Sequence, residues 1–337
     1  MENDIKREKT GSPRLVAKTL DAAKRNVDQI IPYFVLAILV ILIAILQPSA
    51  LSGSWLANKI DGTMVLIFAS MGQSLVMLMY GTDLSIAGII CLTNSLSALI
   101  MPNTFLGITG TVLLMCLIGV LAGALNGFIV VKCRLQAFIV TLATWSIFGG
   151  FALWILPVDG GKPAEGYVNF VMQRFGGIPL TVIFIVLLIL MWAWLRRTRF
   201  GISLFAIGRN ATSAYNSGIN VNWVKIRVYA LSGLFAALAG TYRTAYVNSG
   251  SPTAGDGYVL LTCCASVLGG INVSGGRGSL YGTIVGAFVL QLLADLLVFA
   301  GLSSYWTSLI QGALLITVVA INSVILIVRK KRSLEVG

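Results

Sequence analysis

The chain has 337 residues, 57% of them hydrophobic and only 11% charged, whereas a soluble protein of this size carries about 25% charged residues. With a mean hydropathy of +0.89 and repeated apolar runs near the ~18 residues of a spanning helix, it reads as a polytopic, all-α integral membrane protein. The net charge of +12 does not point to nucleic acid, because the basic residues flank apolar segments instead of sharing a soluble face.

Residues 1–29 lack the early apolar core and small-residue cleavage site of a secretory signal, and read as a cytoplasmic tail. Within them Leu15, Leu20, Ala23 and Val27 alternate with Lys18, Lys24 and Arg25; a short helix on the membrane surface and a solvated tail fit this pattern equally. Apolar runs follow at about 30–47, 62–80, 86–101, 107–131, 137–156, 179–195, 228–246, 257–270, 279–300 and 306–328. About ten spans are therefore expected in one transmembrane domain, 30–328, followed by a short tail at 329–337. The runs at 86–101 and 257–270 are short enough to be re-entrant or tilted. An even count puts both termini on one side. Nineteen Lys and Arg fall on that side against four opposite, Lys59, Lys162, Arg174 and Arg243, with Arg277 uncounted, so both termini are expected in the cytoplasm.

Two stretches break this apolar pattern in the same way. Gly81-Thr82-Asp83-Leu84-Ser85 and Gly270-Ile271-Asn272-Val273-Ser274 share their order of residue types at an offset of 189 residues, and the same offset superposes Gly123-Ala124-Leu125 on Gly312-Ala313-Leu314. A parallel internal repeat is expected, about 30–131 and 228–328, with broken helices near 81–88 and 269–279. Glycines and polar residues inside apolar runs are costly in lipid unless the freed backbone groups are buried in protein or line a water-filled path, and transporters place their sites at such breaks. Gly81, Asp83, Ser85, Gly269, Gly270, Asn272, Ser274, Gly275 and Gly276 are thus candidates for a translocation path; tight turns at the membrane surface are the other reading. Asp83 either caps the half-helix that follows it or touches the substrate. Asp295 joins the candidates because an ionisable group within a span is a functional suspect by default.

The segment Val158 to Ile178 is the longest polar insertion on the side opposite the termini, a lid or a plain loop. Arg196 to Arg227 carries six basic residues and no acidic one. Within it Ser203 to Ser217 has helical spacing, with Leu204, Ile207, Ala211 and Ala214 forming one apolar stripe and Gly218 as the stop. Such a helix, displayed to the cytoplasm, suits docking into a groove of a partner; packing back onto its own spans is the alternative. Trp145, Trp154, Tyr242, Tyr246 and Tyr258 are suited to stacking on sugar rings, but Trp and Tyr also gather at membrane interfaces. Gly119, Gly123 and Gly127 recur every four residues, a pattern for close helix packing. Cys91, Cys116, Cys133, Cys263 and Cys264 suggest no disulfide, and no His/Cys/Asp/Glu cluster suggests a metal, a cofactor or an enzyme site. No GxxxxGK[S/T] phosphate-binding loop occurs, so any ATP hydrolysis belongs to another chain.

Several strings resemble ribose-type ABC importer permeases. Gly208-Arg209-Asn210 through Ser217-Gly218-Ile219-Asn220 resembles their coupling-loop region, Leu268-Gly269-Gly270 with Ser274-Gly275-Gly276-Arg277-Gly278-Ser279 their second glycine motif, and Gly81-Thr82-Asp83-Leu84-Ser85 the first. Ala122 to Gly127 and Phe138 to Leu142 are similar as well. The resemblance covers most of residues 60–325 and implies a bacterial inner-membrane subunit working with ABC ATPase subunits, an extracytoplasmic sugar-binding protein and a second permease, either another copy or a paralogue. Ser203, Leu204, Ile207, Gly208, Arg209, Asn210, Ala211, Ala214, Ser217 and Gly218 would then couple to the ATPase. An ion-coupled secondary transporter is the alternative; the absence of histidine and the few acids within the spans weigh against it.

Overall fold

The computed structural model describes residues 31–48 and 52–303, together with 305–306, 309–310, 312–313 and 316–317, which are helical. The two tails and most of the run expected at 306–328 lie outside the described residues. The helices are α1 (Ile31–Leu46), α2 (Gly53–Leu78), α3 (Ser85–Ile100), α4 (Phe105–Lys132), α5 (Ala137–Ile155), α6 (Glu165–Val171), α7 (Thr181–Leu195), α8 (Arg199–Arg209), α9 (Ala211–Asn216), α10 (Val221–Val247), α11 (Tyr258–Leu268) and α12 (Leu280–Phe299). Five of them, α2, α4, α5, α10 and α12, are long and apolar enough to cross a membrane, and a sixth span results if α7 and α8 count as one, bent by 76°. This is a multi-pass helical membrane protein.

Helix α2 is the axis of the bundle and is buried along most of its length. Small residues let backbones meet at the helix crossings without side chains between them. A Cβ on Gly72 of α2 would stand 3.0 Å from the carbonyl oxygen of Ser232 of α10, and one on Gly88 of α3 would stand 2.7 Å from that of Trp145 of α5. The Gly119, Gly123 and Gly127 stripe of α4 lies on α10, where a Cβ at Gly123 would overlap the Tyr229 carbonyl and one at Gly119 the carbonyl of Gly233. On the periphery, α1 rests on α12 through Leu39, Ile43, Val285, Val289 and Leu292.

Between α5 and α7 the chain forms α6 and a two-residue hairpin, β1 (Arg174–Phe175) and β2 (Ile178–Pro179), turned by Gly176 and Gly177 at φ 58° and 89°. This segment is docked, not free. Gly160 exchanges backbone hydrogen bonds of 3.0 and 2.8 Å with Gly250, and the Tyr167 hydroxyl donates to the Thr241 carbonyl at 3.2 Å.

Three placements differ from the sequence reading. Lys59, assigned to a loop, lies in α2, because that helix begins at Gly53, nine residues before its apolar run. Arg243, counted with the charges of the outer side although inside the 228–246 run, lies within α10. The segment Ser203 to Ser217 is two helices rather than one: Asn210 is extended at φ −161°, ends α8, and caps α9 by accepting from the Ser213 N–H at 2.9 Å.

Candidate functional site

The first break follows from the end of α2. Leu78 is the last residue of that helix, Tyr80 takes a left-handed conformation at φ 62°, and the Gly81 and Tyr80 N–H groups donate back to Val76 and Met77. This is a paired-bond helix stop, normally built on glycine. α11 ends identically, with Gly270 at φ 86° and the Ile271 and Gly270 N–H groups returning to Ser266 and Val267. Each stop leads into the same side-chain turn. The Ser85 N–H donates to Asp83 Oδ1 at 3.0 Å, and the Ser274 N–H donates to Asn272 Oδ1 at 2.8 Å. At their common offset of 189 residues the two strings share this side-chain turn, while the helix stops before them, at Tyr80 and Gly270, are out of step by one residue.

Around Asp83 the polar groups are buried and joined. Its Oδ1 also accepts from the Ser85 hydroxyl at 2.5 Å, and Oδ2 accepts from the Ser232 hydroxyl of α10 at 2.7 Å. Asn126 of α4 donates to the Ser85 hydroxyl at 2.7 Å. From α2, Gln73 accepts the Asp83 N–H at 3.3 Å and donates to Cys263 of α11 at 3.1 Å, so that one amide touches both broken segments. One residue on, the Ser74 hydroxyl bonds Ser266 of α11 at 2.9 Å and Thr283 of α12 at 2.7 Å. Asp83 thus takes part in holding the start of α3, where its charge is met by three donors.

The two breaks meet at α8. The Gly276 N–H donates to the Leu78 carbonyl at 2.8 Å. A Cβ on Gly208 of α8 would overlap that same carbonyl and lie 2.5 Å from the Gly276 nitrogen, while one on Gly275 would lie 2.8 Å from the Tyr80 nitrogen. Glycine is needed at Gly275 and Gly276 on two counts, since both have positive φ, 74° and 69°. A second tie runs through α7: the buried Trp192 donates to the Ser279 hydroxyl, N-cap of α12, at 3.3 Å and packs on Phe205 of α8 at 6.1 Å.

Of the proposed coupling residues, Leu204, Ile207 and Ala214 are buried against the chain's own helices, while Ala211 is exposed. The apolar stripe is thus covered from within. What α8 and α9 present outward is Ile202, Tyr215, Arg209 and Ala211 with polar neighbours. Ser203 and Ser217 bond their own helices, donating to the Arg199 and Ser213 carbonyls at 2.7 and 2.9 Å. Gly218, at φ 82°, closes α9.

Of the proposed path residues, Gly81, Asp83 and Ser85 gather at the first break and Gly270, Asn272, Ser274, Gly275 and Gly276 at the second. Gly269 serves the crossing of α11 on α12, where a Cβ would stand against the Gly282 carbonyl carbon. Asp295 stands apart, at the opposite end of the bundle, in an ion pair of 2.7 Å with Lys59. Asp61 was missed in sequence; it is buried in α2, accepts from the Thr181 hydroxyl, and has Arg174 at 3.6 Å. Gln73, Ser74, Ser232 and Asn126 were missed too.

Residues 56–319 match the model of a family described as "Branched-chain amino acid transport system / permease component". The chain belongs to this permease family. It is similar to the ribose import permease protein RbsC of Bacillus subtilis, at 35% identity over 86% of this chain and 91% of the relative. Against Escherichia coli strain K12 it is similar to the D-allose transport system permease protein AlsC, 29% identical over 87% of this chain and 91% of that one. It is also similar to the galactose/methyl galactoside import permease protein MglC of the same strain, 30% identical over 86% and 93%. No solved structure matches. The family agrees with the ABC importer permease reached from the motifs, and this permease is a transport subunit, not an enzyme.

Proposed function

We propose that this permease carries a monosaccharide or a similarly polar small solute, delivered by an extracytoplasmic binding protein, with ATP hydrolysed by separate ATPase subunits. The ribose, allose and galactose names of its relatives support the substrate class. Both termini, α8 and α9 then face the cytoplasm of a bacterium, as the bias of basic residues supports, and ten spans form two parallel halves, 30–131 and 228–328. The shared turn at Asp83 and Asn272 supports that repeat. A second permease, a copy or a paralogue, completes the path.

The observation that carries the mechanism is the contact of Gly208 with both breaks. An ATPase bound to the outward face of α8 and α9 displaces a helix whose inner face already touches Leu78 and Gly276. Movement there repacks the ends of α2 and the start of α12 together, the kind of switching between packed arrangements that opens one gate and closes another. Coupling uses Gly208 through this inner contact, Arg209 and Ala211 on the outer face, and Asn210 as the joint between the two helices. The path runs beside Gly81, Asp83 and Ser85 and beside Gly270, Asn272 and Ser274.

The test is uptake of radiolabelled ribose, allose and galactose into vesicles holding this permease and its co-expressed ATPase, with binding protein and a protonophore as variables. Uptake that needs ATP and binding protein and survives the protonophore is expected. Uptake without the ATPase that stops with the protonophore would instead make the chain a secondary transporter.

A further inference from the structure

A cavity of about 630 Å³ opens beside the first break, between the end of α2, the turn from α4 to α5 and the start of α10. Neither the buried Asp83 cluster nor the coupling contact uses it. Its wall is divided. Val76, Val130, Val131 and Leu135 give it an apolar side, and Lys132, Arg134 and Lys225 supply three cations. Acidic side chains among the described residues are Asp61, Asp83, Asp159, Glu165, Asp256 and Asp295. None lines the cavity, and the nearest in the chain, Asp83, is buried with three donors of its own.

The positions of the cations set the depth. Lys132 is the last residue of α4, a helix of 28 residues. At 1.5 Å per residue that helix is about 42 Å long, longer than the ~30 Å hydrocarbon core, so its end reaches the headgroup layer. Lys225 is in the second turn of α10, which starts from the same end. Arg134 is held at φ 53°, a left-handed conformation that costs a non-glycine residue about 1–2 kcal/mol, in the turn that closes the cavity.

We propose that this cavity binds the phosphate headgroup of an anionic phospholipid, with Lys132, Arg134 and Lys225 on the phosphate and the apolar side against the first acyl carbons. Basic pockets between helix ends recognise such headgroups, and the apolar part of the wall favours an amphiphile over a soluble anion. Tyr80 and Gly81 line the same cavity, and the Tyr229 hydroxyl in its wall donates to the Thr82 carbonyl at 3.3 Å. A bound headgroup therefore stands against the first break, and its occupancy braces the turn that coupling moves.

The test is native mass spectrometry of the intact permease purified with its ATPase, titrated with phosphatidylglycerol and, separately, phosphatidylcholine. Phosphatidylglycerol is expected to bind the tighter, and K132Q/R134Q/K225Q to weaken it about a hundredfold, from roughly a factor of five per cation. Substituting Gln at Arg196, Arg197 and Arg199, three cations of the same end outside the cavity, is expected to leave it unchanged. Equal binding by the wild type and the cavity variant would overturn the site, as would equal loss in the two triple variants, which would reduce it to general surface attraction. Displacement of the lipid by millimolar inorganic phosphate would overturn the lipid as occupant. Retained ATPase association and an unchanged melting temperature show that the variants fold.

Discussion

The carbonyl oxygen of Leu78 accepts a hydrogen bond from the backbone N–H of Gly276 across 2.8 Å, 198 residues away in the chain. A helix leaves its last carbonyls without internal partners. Here an acceptor at the end of α2 is satisfied by the second break, which makes the two breaks one structural unit. Gly276→Pro removes the donor and cannot adopt φ 69°. It is expected to cost at least about 3 kcal/mol and to lower the melting temperature of the purified permease more than Gly276→Ala, which keeps the N–H.

Asp83→Ala leaves the Ser85 N–H and the Ser85 and Ser232 hydroxyls without their acceptor. Each unsatisfied buried donor costs about 1–3 kcal/mol, though the hydroxyls can turn to other acceptors, so a loss of roughly 2–5 kcal/mol is expected. Asp83→Asn keeps one acceptor oxygen and should lose about half as much. Thermal unfolding in detergent separates them; equal melting temperatures for wild type and Asp83→Ala would show that the cluster holds nothing.

Lys59 and Asp295 join α2 to α12 with their side chains 17% and 19% exposed. Asp295→Asn is expected to weaken a charged hydrogen bond worth about 1.5–3 kcal/mol at most, and Lys59→Met with Asp295→Met to recover part of the loss, since both charges then go together. Uptake should persist in the double variant. Its abolition would return Asp295 to the translocation path.

Gly123→Val drives a side chain into the Tyr229 carbonyl, and overpacking of this kind costs about 1–3 kcal/mol. Gly149 of α5 has no atom within 4 Å of its Cβ position, so Gly149→Ala should be neutral or stabilise by about 0.5–1 kcal/mol through helix propensity. The two melting temperatures, read side by side, test the α4–α10 seam.

The breaks were legible in the sequence because glycine and polar residues stand out against apolar runs, and the glycine stripe of α4 because its four-residue spacing is a helical face. The cluster around Asp83 was not. Gln73, Ser74, Asn126 and Ser232 sit in helices whose apolar content masks them, and only the fold brings α2, α4 and α10 together there. Asp61 is not legible because it stands one residue before the apolar run at 62–80, in the part of α2 that the run does not mark. The joint at Asn210 was visible in principle, since Asn is a preferred N-cap residue, but the apolar stripe running through it argued for one helix. Of the two readings open for that stripe, a face for a partner and packing onto the chain's own spans, Leu204, Ile207 and Ala214 are buried as the second requires.

Coupling through Gly208 is tested most directly by measuring ATP hydrolysis and solute uptake in the same vesicles for wild type and Gly208→Ala, with Gly149→Ala as control. A Cβ at Gly208 forces α8 away from Leu78 and Gly276, so hydrolysis is expected to continue while uptake per ATP falls at least about tenfold, equivalent to ~1.4 kcal/mol of lost coupling. Unchanged uptake per ATP in Gly208→Ala would contradict transmission through this contact.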